Sequence, residues 1–193
     1  WEKTNKPLTD DLRLIPSNQN YWLEPNLVEF VSYGNFGKWA REVIIDPIVY
    51  SSKKVRWRNK EASYDVAELE PTTRAKQTYV LQEYFIPVKR INSFIPKMKL
   101  IFDKYDVNVI NVSLRHAYPD KESYLSWAQE EVFAFVVYYK QGTDQEAKKI
   151  VKKWTVEMTD AILTENGTWY LPYQPHASIA QFNKGYPNSY KYF

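Results

Sequence analysis

The sequence predicts an α+β domain: an antiparallel sheet with helices on one face, preceded by an irregular, partly helical arm. Three observations carry that prediction. Residues 107–116 alternate, with Ile110, Val112 and Leu114 at one parity and Asn111, Ser113 and Arg115 at the other, the period of a half-buried strand. Residues 131–140 are apolar at both parities (Val132, Ala134, Val136 against Phe133, Phe135, Val137), as a strand covered on both faces should be. Two further stretches, 91–102 and 147–162, place apolar residues at helical spacing.

Taken in order, residues 1–33 show no clean period. Pro7, Pro16, Pro25 and the polar run 17–20 read as an arm that needs a partner surface for order. Phe36, Trp39, Ala40, Val43 and Ile44 suit a helix stopped near Asp46-Pro47. Lys53, Lys54, Arg56 and Arg58 surround Trp57 and read as a solvated loop, followed by the stretch 64–70. The arm is assigned to 1–74 and the sheet domain to 75–193. Residues 78–86 are rich in strand formers and end at Pro87. Ile91, Phe94, Ile95, Met98, Ile101 and Phe102 then follow helical spacing, and Pro96 sets the helix start near Ser93 or kinks it. Two strands come next, joined through Tyr118-Pro119-Asp120. Thr143-Asp-Gln-Glu146 reads as a capping box with Thr143 as N-cap. The helix it opens should bury Ala147, Ile150, Val151, Trp154, Met158, Ala161 and Ile162 and stop at Asn166-Gly167. A short last strand, 168–171, ends before Pro172.

The order β-α-β-β-α-β is the ferredoxin-like split unit, with the first and third strands inside the sheet and the second and fourth at its edges. Both helices cover one face. The other stays open, since the arm is too short to hide it, and a guanidinium with two hydrogen-bonding side chains (Arg115, Asn111, Ser113) lines it. That face is the expected functional surface.

Composition narrows the function classes. A chain of 193 residues buries roughly 70% of its unfolded surface, enough for a self-supporting core. Aromatic content is 17%, which suits a ligand surface and a packed α+β core equally. The balance of 26 basic to 23 acidic residues is too even to argue for nucleic acid by itself. The absence of cysteine removes disulfides, thiolate nucleophiles and Cys-based metal sites, and fits a reducing, cytoplasmic setting. No apolar run approaches the roughly 18 residues of a membrane span, and nothing at the start resembles a signal peptide. The chain begins at Trp1 and its methionines are Met98 and Met158, so a piece of a longer protein is expected. Oligomeric state is not legible.

Two chemistries fail at their specific residues. The run Phe133-Ala-Phe-Val-Val-Tyr138 matches the apolar half of the RNA-recognition strand motif, but Glu131 and Val132 stand where a basic residue and a glycine belong. A metal or nucleophile site would have to use His116 and His176, far apart in sequence. There is no HExxH, no Gly-x-Ser-x-Gly and no phosphate loop. His116 lies on the apolar parity of its strand and reads as structural.

Four motifs occur in one order: Val80-Leu-Gln-Glu-Tyr-Phe-Ile-Pro87, Asn111-Val-Ser-Leu-Arg115, Tyr170-Leu-Pro-Tyr173 and Ala180-Gln-Phe-Asn-Lys-Gly-Tyr-Pro187. From about residue 75 onward the chain resembles the C-terminal substrate (cap) domain of FAD-linked oxidases of the vanillyl-alcohol oxidase superfamily, nearest to the aldonolactone and alditol oxidases. The resemblance implies an upstream domain holding most of the FAD and a cap sheet covering the flavin ring. It also implies oxidation of a hydroxylated, sugar-like small molecule by hydride transfer. By the same resemblance Arg115 is the strand arginine near flavin and substrate, with Tyr170 beside the cofactor. A hydroxylated substrate must also lose a proton, so a phenol or imidazole within reach is needed, and Tyr173 and His176, beside Pro172 and Pro175, complete the expected catalytic set; Gln82, Asn111, Ser113 and Tyr170 are expected to bind substrate. Many relatives carry a lysine where Tyr173 stands and some an acid where Ser113 stands, so the substrate and the base are open. The alternative is a ferredoxin-like module that binds RNA or a small ligand without chemistry.

Overall fold

The computed structural model describes residues 3–16, 23–64 and 73–189. The expectations for the polar run 17–20 and for most of the stretch 64–70 lie outside the described residues. The chain divides at Thr72/Thr73 into two compact units.

In the first unit, α1 (Leu23–Val31) is a helix that the missing period concealed. Its Pro25 sits in the first turn, where no intrahelical N–H is required. Helix α2 (Gly34–Ala40) approaches α1 closely at Gly37, where an added Cβ would fall 2.3 Å from the Phe30 carbonyl oxygen. The helix does not stop at Asp46-Pro47. A π-turn (Arg41–Ile45) widens the coil, and α3 (Asp46–Val49) continues with Pro47 in its first turn. A wider turn removes the clash of the proline ring with the carbonyl four residues back, which is why the residue that should break the helix does not. Helix α4 (Arg58–Ala62) occupies part of the expected basic loop. Lys53, Lys54 and Arg58 are exposed, whereas Arg56 pairs with Glu61 at 2.9 Å and the buried Lys60 pairs with Asp10.

The second unit is α+β, of ferredoxin-like type. Strand β1 (Gln77–Pro87) leads through a 3-10 turn into α5 (Ile91–Lys104). The antiparallel pair β2 (Asn108–Ala117) and β3 (Val132–Gly142) follows, then α6 (Gln145–Thr164), the short β4 (Thr168–Trp169) and α7 (Ile179–Gly185). The sheet order is β2-β3-β1-β4, all pairs antiparallel, with β1 and β3 inside. Tyr84, Ile86, Phe135, Val137 and Tyr139 turn one face toward Phe94, Met98 and Ile101 of α5 and Val151, Trp154, Met158 and Ile162 of α6. Rings interlock there, Phe94 on Phe135 at 5.2 Å and Trp154 on Tyr139 at 5.0 Å. Buried Glu165, just past α6, ties the helices together through Lys97 and through Ser93 Oγ at 2.7 Å.

Several local expectations shift. Helix α5 begins at Ile91, ahead of Ser93, and runs through Pro96, which is exposed. The N-cap of α6 is Asp144, whose Oδ1 accepts from the Ala147 amide at 2.9 Å. Thr143 belongs instead to the strand end: its amide and hydroxyl donate to the carbonyls of Lys76 and Ala75. The buried stripe of α6 is turned so that Ile150 is 45% exposed, while Thr155 and Thr159 are buried and donate back to the carbonyls of Val151 and Thr155. A true capping box opens α7, between the N-cap Ser178 and Gln181. A bulge between Val109 and Asn111 resets the parity of β2, and Leu114, opposite Phe135 on this edge strand, is 52% exposed. Strand β4 is only two residues long.

Asn166 takes the left-handed conformation at φ 57°, with its amide bonded to Leu163 O and the Gly167 amide to Ile162 O, a Schellman termination of α6. Gly167 is required for space: an added Cβ would lie 2.6 Å from Phe85 O and 2.9 Å from both Ile162 Cγ2 and Ile86 Cδ1. Gly167→Ala should therefore destabilise the second unit by about 1–3 kcal/mol, read as a lowered denaturant midpoint at unchanged m-value. An unaltered midpoint would show that β4 and α6 separate freely.

Candidate functional site

The strand register fixes what the sheet presents away from its helices. Across the strands one row reads Ser113, Val136, Glu83 and Tyr170, and the next reads Arg115, Ala134, Phe85 and Thr168. The row above places Asn111 and Tyr138 opposite one another. Part of this face is not open. The connection between β2 and β3 folds back over it: Trp127 packs on Phe85 at 4.5 Å with its ring tilted by 52°, its carbonyl accepts from the Thr168 hydroxyl, and Ala128 seals Val132 and Ala134. Asp120 holds that connection in shape, its Oδ1 accepting from the amides of Glu122 at 3.1 Å and Ser123 at 3.0 Å. What remains uncovered by this connection runs from Arg115 to Asn111.

Arg115 is exposed, and among the described residues no carboxylate lies within 4.0 Å of its guanidinium. Asn111 Nδ2 donates to Ser113 Oγ at 3.2 Å along the same strand face. The Tyr170 amide donates to the Glu83 carbonyl at 2.9 Å, which carries the β4 pairing one residue past Trp169. Pro172 then breaks the extended run, and the Tyr170 and Tyr173 rings meet at 4.7 Å. Burial raises the Tyr173 phenol above its ordinary value, helped by Glu83 and Tyr170 and opposed by Arg115. The ring contact with Tyr170, which stands opposite Glu83 in the register, puts Tyr173 on the Arg115 face. The raised value makes it a hydrogen-bond donor at neutral pH, not a phenolate.

Glu83 was missed. Gln82 is the residue expected at the substrate and Glu83 has no expected role, and the motif around them is apolar at both parities, so alternation does not separate the two. Only the register shows that Gln82 shares the parity of Tyr84 and Ile86 and faces the helices. Glu83 faces the other way, half-buried. Burial raises its carboxyl above the ordinary range and Arg115 pulls it back.

Two expected members do not join this group. Gln82 is 4% exposed on the helix side, its amide beside the Tyr139 hydroxyl. His176 is on that side too, its Nδ1 2.7 Å from Thr155 Oγ1 on α6. The Thr155 hydroxyl also lies 2.8 Å from the Val151 carbonyl, and when it gives its one proton there it accepts from His176 Nδ1. The physical reason is the shortness of β4: beyond Tyr173 the chain is free to cross the unpaired edge of β1, and Gln174 Nε2 already donates to Tyr139 OH at 3.2 Å. His116 stands at the sheet edge, Nε2 2.6 Å from Glu131 Oε1 and its ring against Phe133. Among the described residues no group of three or more His, Asp and Glu could hold a metal ion. No helix of the described residues is long and apolar enough to cross a membrane.

Comparison with protein-family models gives no match, and no curated protein matches the sequence.

Burial, and then the nearby Lys152, hold the His176 imidazole below its ordinary 6.5. The unfolded chain therefore takes up this proton first as pH falls. The resulting stability is full above 6.5 and is lost as pH drops from there through the depressed folded value. The denaturant midpoint should decline below pH 6.5, and less steeply in His176→Asn. Parallel declines in the two proteins would remove His176 from the account.

Proposed function

We propose that this chain is the substrate-covering domain of an FAD-dependent oxidoreductase that oxidises a hydroxylated, sugar-like small molecule, the flavin being held mainly by a separate domain. The observation that carries the reading is the gathering of Arg115, Tyr170 and Tyr173 on the sheet face turned away from the helices. The four ordered motifs resembling FAD-linked oxidases supply the family. The residues fit such a cofactor: an exposed guanidinium with no carboxylate within 4.0 Å among the described residues and two tyrosine rings border a partly apolar floor that includes Val136, 8% exposed.

Bound flavin would supply the acceptor for the hydride lost by the substrate carbon. Arg115 would set a fixed positive charge where negative charge develops, an arrangement effective because the donor needs no reorganisation. Tyr173, kept protonated, donates a hydrogen bond to a substrate oxygen. Asn111 and Ser113 offer amide and hydroxyl groups for further hydroxyls, as the edge of a polyol site requires. Tyr170 closes one wall.

A second reading, a ferredoxin-like module binding RNA or a small ligand without chemistry, has one observation in its favour. Tyr79 and Tyr138 pack at 5.5 Å on the same face, with the Lys140 ammonium 5.9 Å from the Tyr79 ring. The half-buried Glu83 carboxylate in the same face opposes a phosphate backbone, so the oxidoreductase reading is preferred.

The test is the visible spectrum of the full-length gene product that contains this chain. It should show bound flavin that a sugar alcohol or sugar lactone bleaches without oxygen; a colourless product that binds single-stranded RNA would select the second reading. Arg115→Ala should slow that bleaching by about 10²-fold or more while altering stability by less than about 0.5 kcal/mol, as for a surface position.

A further inference from the structure

We propose that Glu83 is the proton acceptor of this site, its carboxylate taking the hydroxyl proton of an alcohol substrate whose oxygen is held by Arg115 and Tyr173. The inference rests on the oxidoreductase reading and adds to it the base that Tyr173 and His176 do not provide. Tyr173 stays protonated, and His176 is bonded to Thr155 on the far side of the sheet.

Position is the first argument. Glu83 lies on an inner strand, one row from Arg115, with Val136 beside it on β3 and Tyr170 on β4. At about 4.8 Å between strands and 3.3 Å per residue, the Cα atoms of Glu83 and Arg115 are roughly 12 Å apart. Their side chains can therefore converge on one small group from opposite sides. The second argument is the missing partner. Among the described residues the Glu83 carboxylate makes no ion pair within 4.0 Å and no side-chain hydrogen bond. A half-buried carboxylate left unpartnered on a central strand is costly, and a ligand hydroxyl between it and Arg115 would satisfy both groups. The third argument is the field. The charged and titratable groups facing it are Arg115 from β2 and Tyr170 and Tyr173 from the segment after β4. On β3, Tyr138 and Lys140 stand farther along the same face, Lys140 near the Tyr79 ring. Burial outweighs Arg115 and raises the carboxyl, the direction that makes a carboxylate a stronger base.

The step balances. The substrate O–H bond breaks and its proton goes to Glu83. The C–H bond breaks with its electron pair, which leaves as hydride to the flavin acceptor. The freed O–H electron pair closes the C=O bond, and Glu83 later returns its proton to water.

Two measurements test this. In the 193-residue chain, a carbon-13 carboxyl titration should place Glu83 above the ordinary 4.5, and Arg115→Ala should move it higher still. A Glu83 that titrates at 4.5 and ignores Arg115→Ala would overturn the proposal. In the flavin-containing full-length enzyme, reduction by xylitol, gluconolactone and lactate is followed without oxygen across pH. Wild type should show an acid limb, its rate rising with pH through the Glu83 value. Glu83→Gln should keep the flavin spectrum, lose that limb and slow by about 10²–10⁴-fold; Glu83→Asp, which retains a carboxylate, should restore the limb. Wild-type rates and limb in Glu83→Gln, or a wild-type flavin that none of the three compounds reduces, would overturn the role of Glu83. A full-length product without flavin would instead overturn the oxidoreductase reading on which it rests.

Discussion

Tyr84, Ile86, Phe135, Val137 and Tyr139 must all turn toward α5 and α6 for the second unit to have a core. A strand alternates faces every residue, so that demand also decides where Glu83, Tyr138, Ser113 and Arg115 go. A slip of one residue in β1 would exchange Gln82 for Glu83 and bury a carboxylate under two helices. The apolar burial on one face is thus what holds the polar group together on the other, although no member of that group contributes much to the core.

The segment following β4 is where the two sides of the sheet are coupled. Within a few residues it carries Tyr170 and Tyr173 beside Glu83, then Gln174 and His176 among the polar groups beneath α6. His176 and Gln174 anchor the far end of the segment that presents the two tyrosines, and act on the site through position and not through contact. Polar burial here is incomplete: the Tyr84 hydroxyl is buried without a hydrogen-bond partner among the described residues. The large apolar interface around Trp154 and Met158 offsets that cost.

The first unit follows different rules. Among its described residues, several tertiary ties are polar, with Thr9 paired to Val55 and the Ile15 amide donating to Ser63 Oγ at 2.8 Å. Buried Lys60 meets Asp10. Meanwhile Phe36, Trp39, Ile48 and Tyr50 remain exposed on its helices. Nothing in a sequence period announces a unit assembled from such contacts.

Local physics was legible in the sequence wherever it repeats. The alternation of β2, the two-sided apolarity of β3, the helical stripes of α5 and α6 and the Asn166-Gly167 stop all follow from side-chain period and backbone freedom. Those elements, in that order, lead to the split β-α-β-β-α-β arrangement. Parity alone puts Arg115 on the face turned away from the helices, but not the cover that the β2–β3 connection lays over part of that face through Trp127 and Ala128. Tertiary structure decided what depends on competition between neighbours. The strand ladder claims Thr143 and passes the cap to Asp144. The π-turn lets Pro47 stay helical. The register, which local apolarity left ambiguous in β1, sends Gln82 inward and Glu83 outward. A two-residue β4 opens the edge of β1, and His176 crosses it because Thr155 offers a buried oxygen that no window of sequence could place beside it.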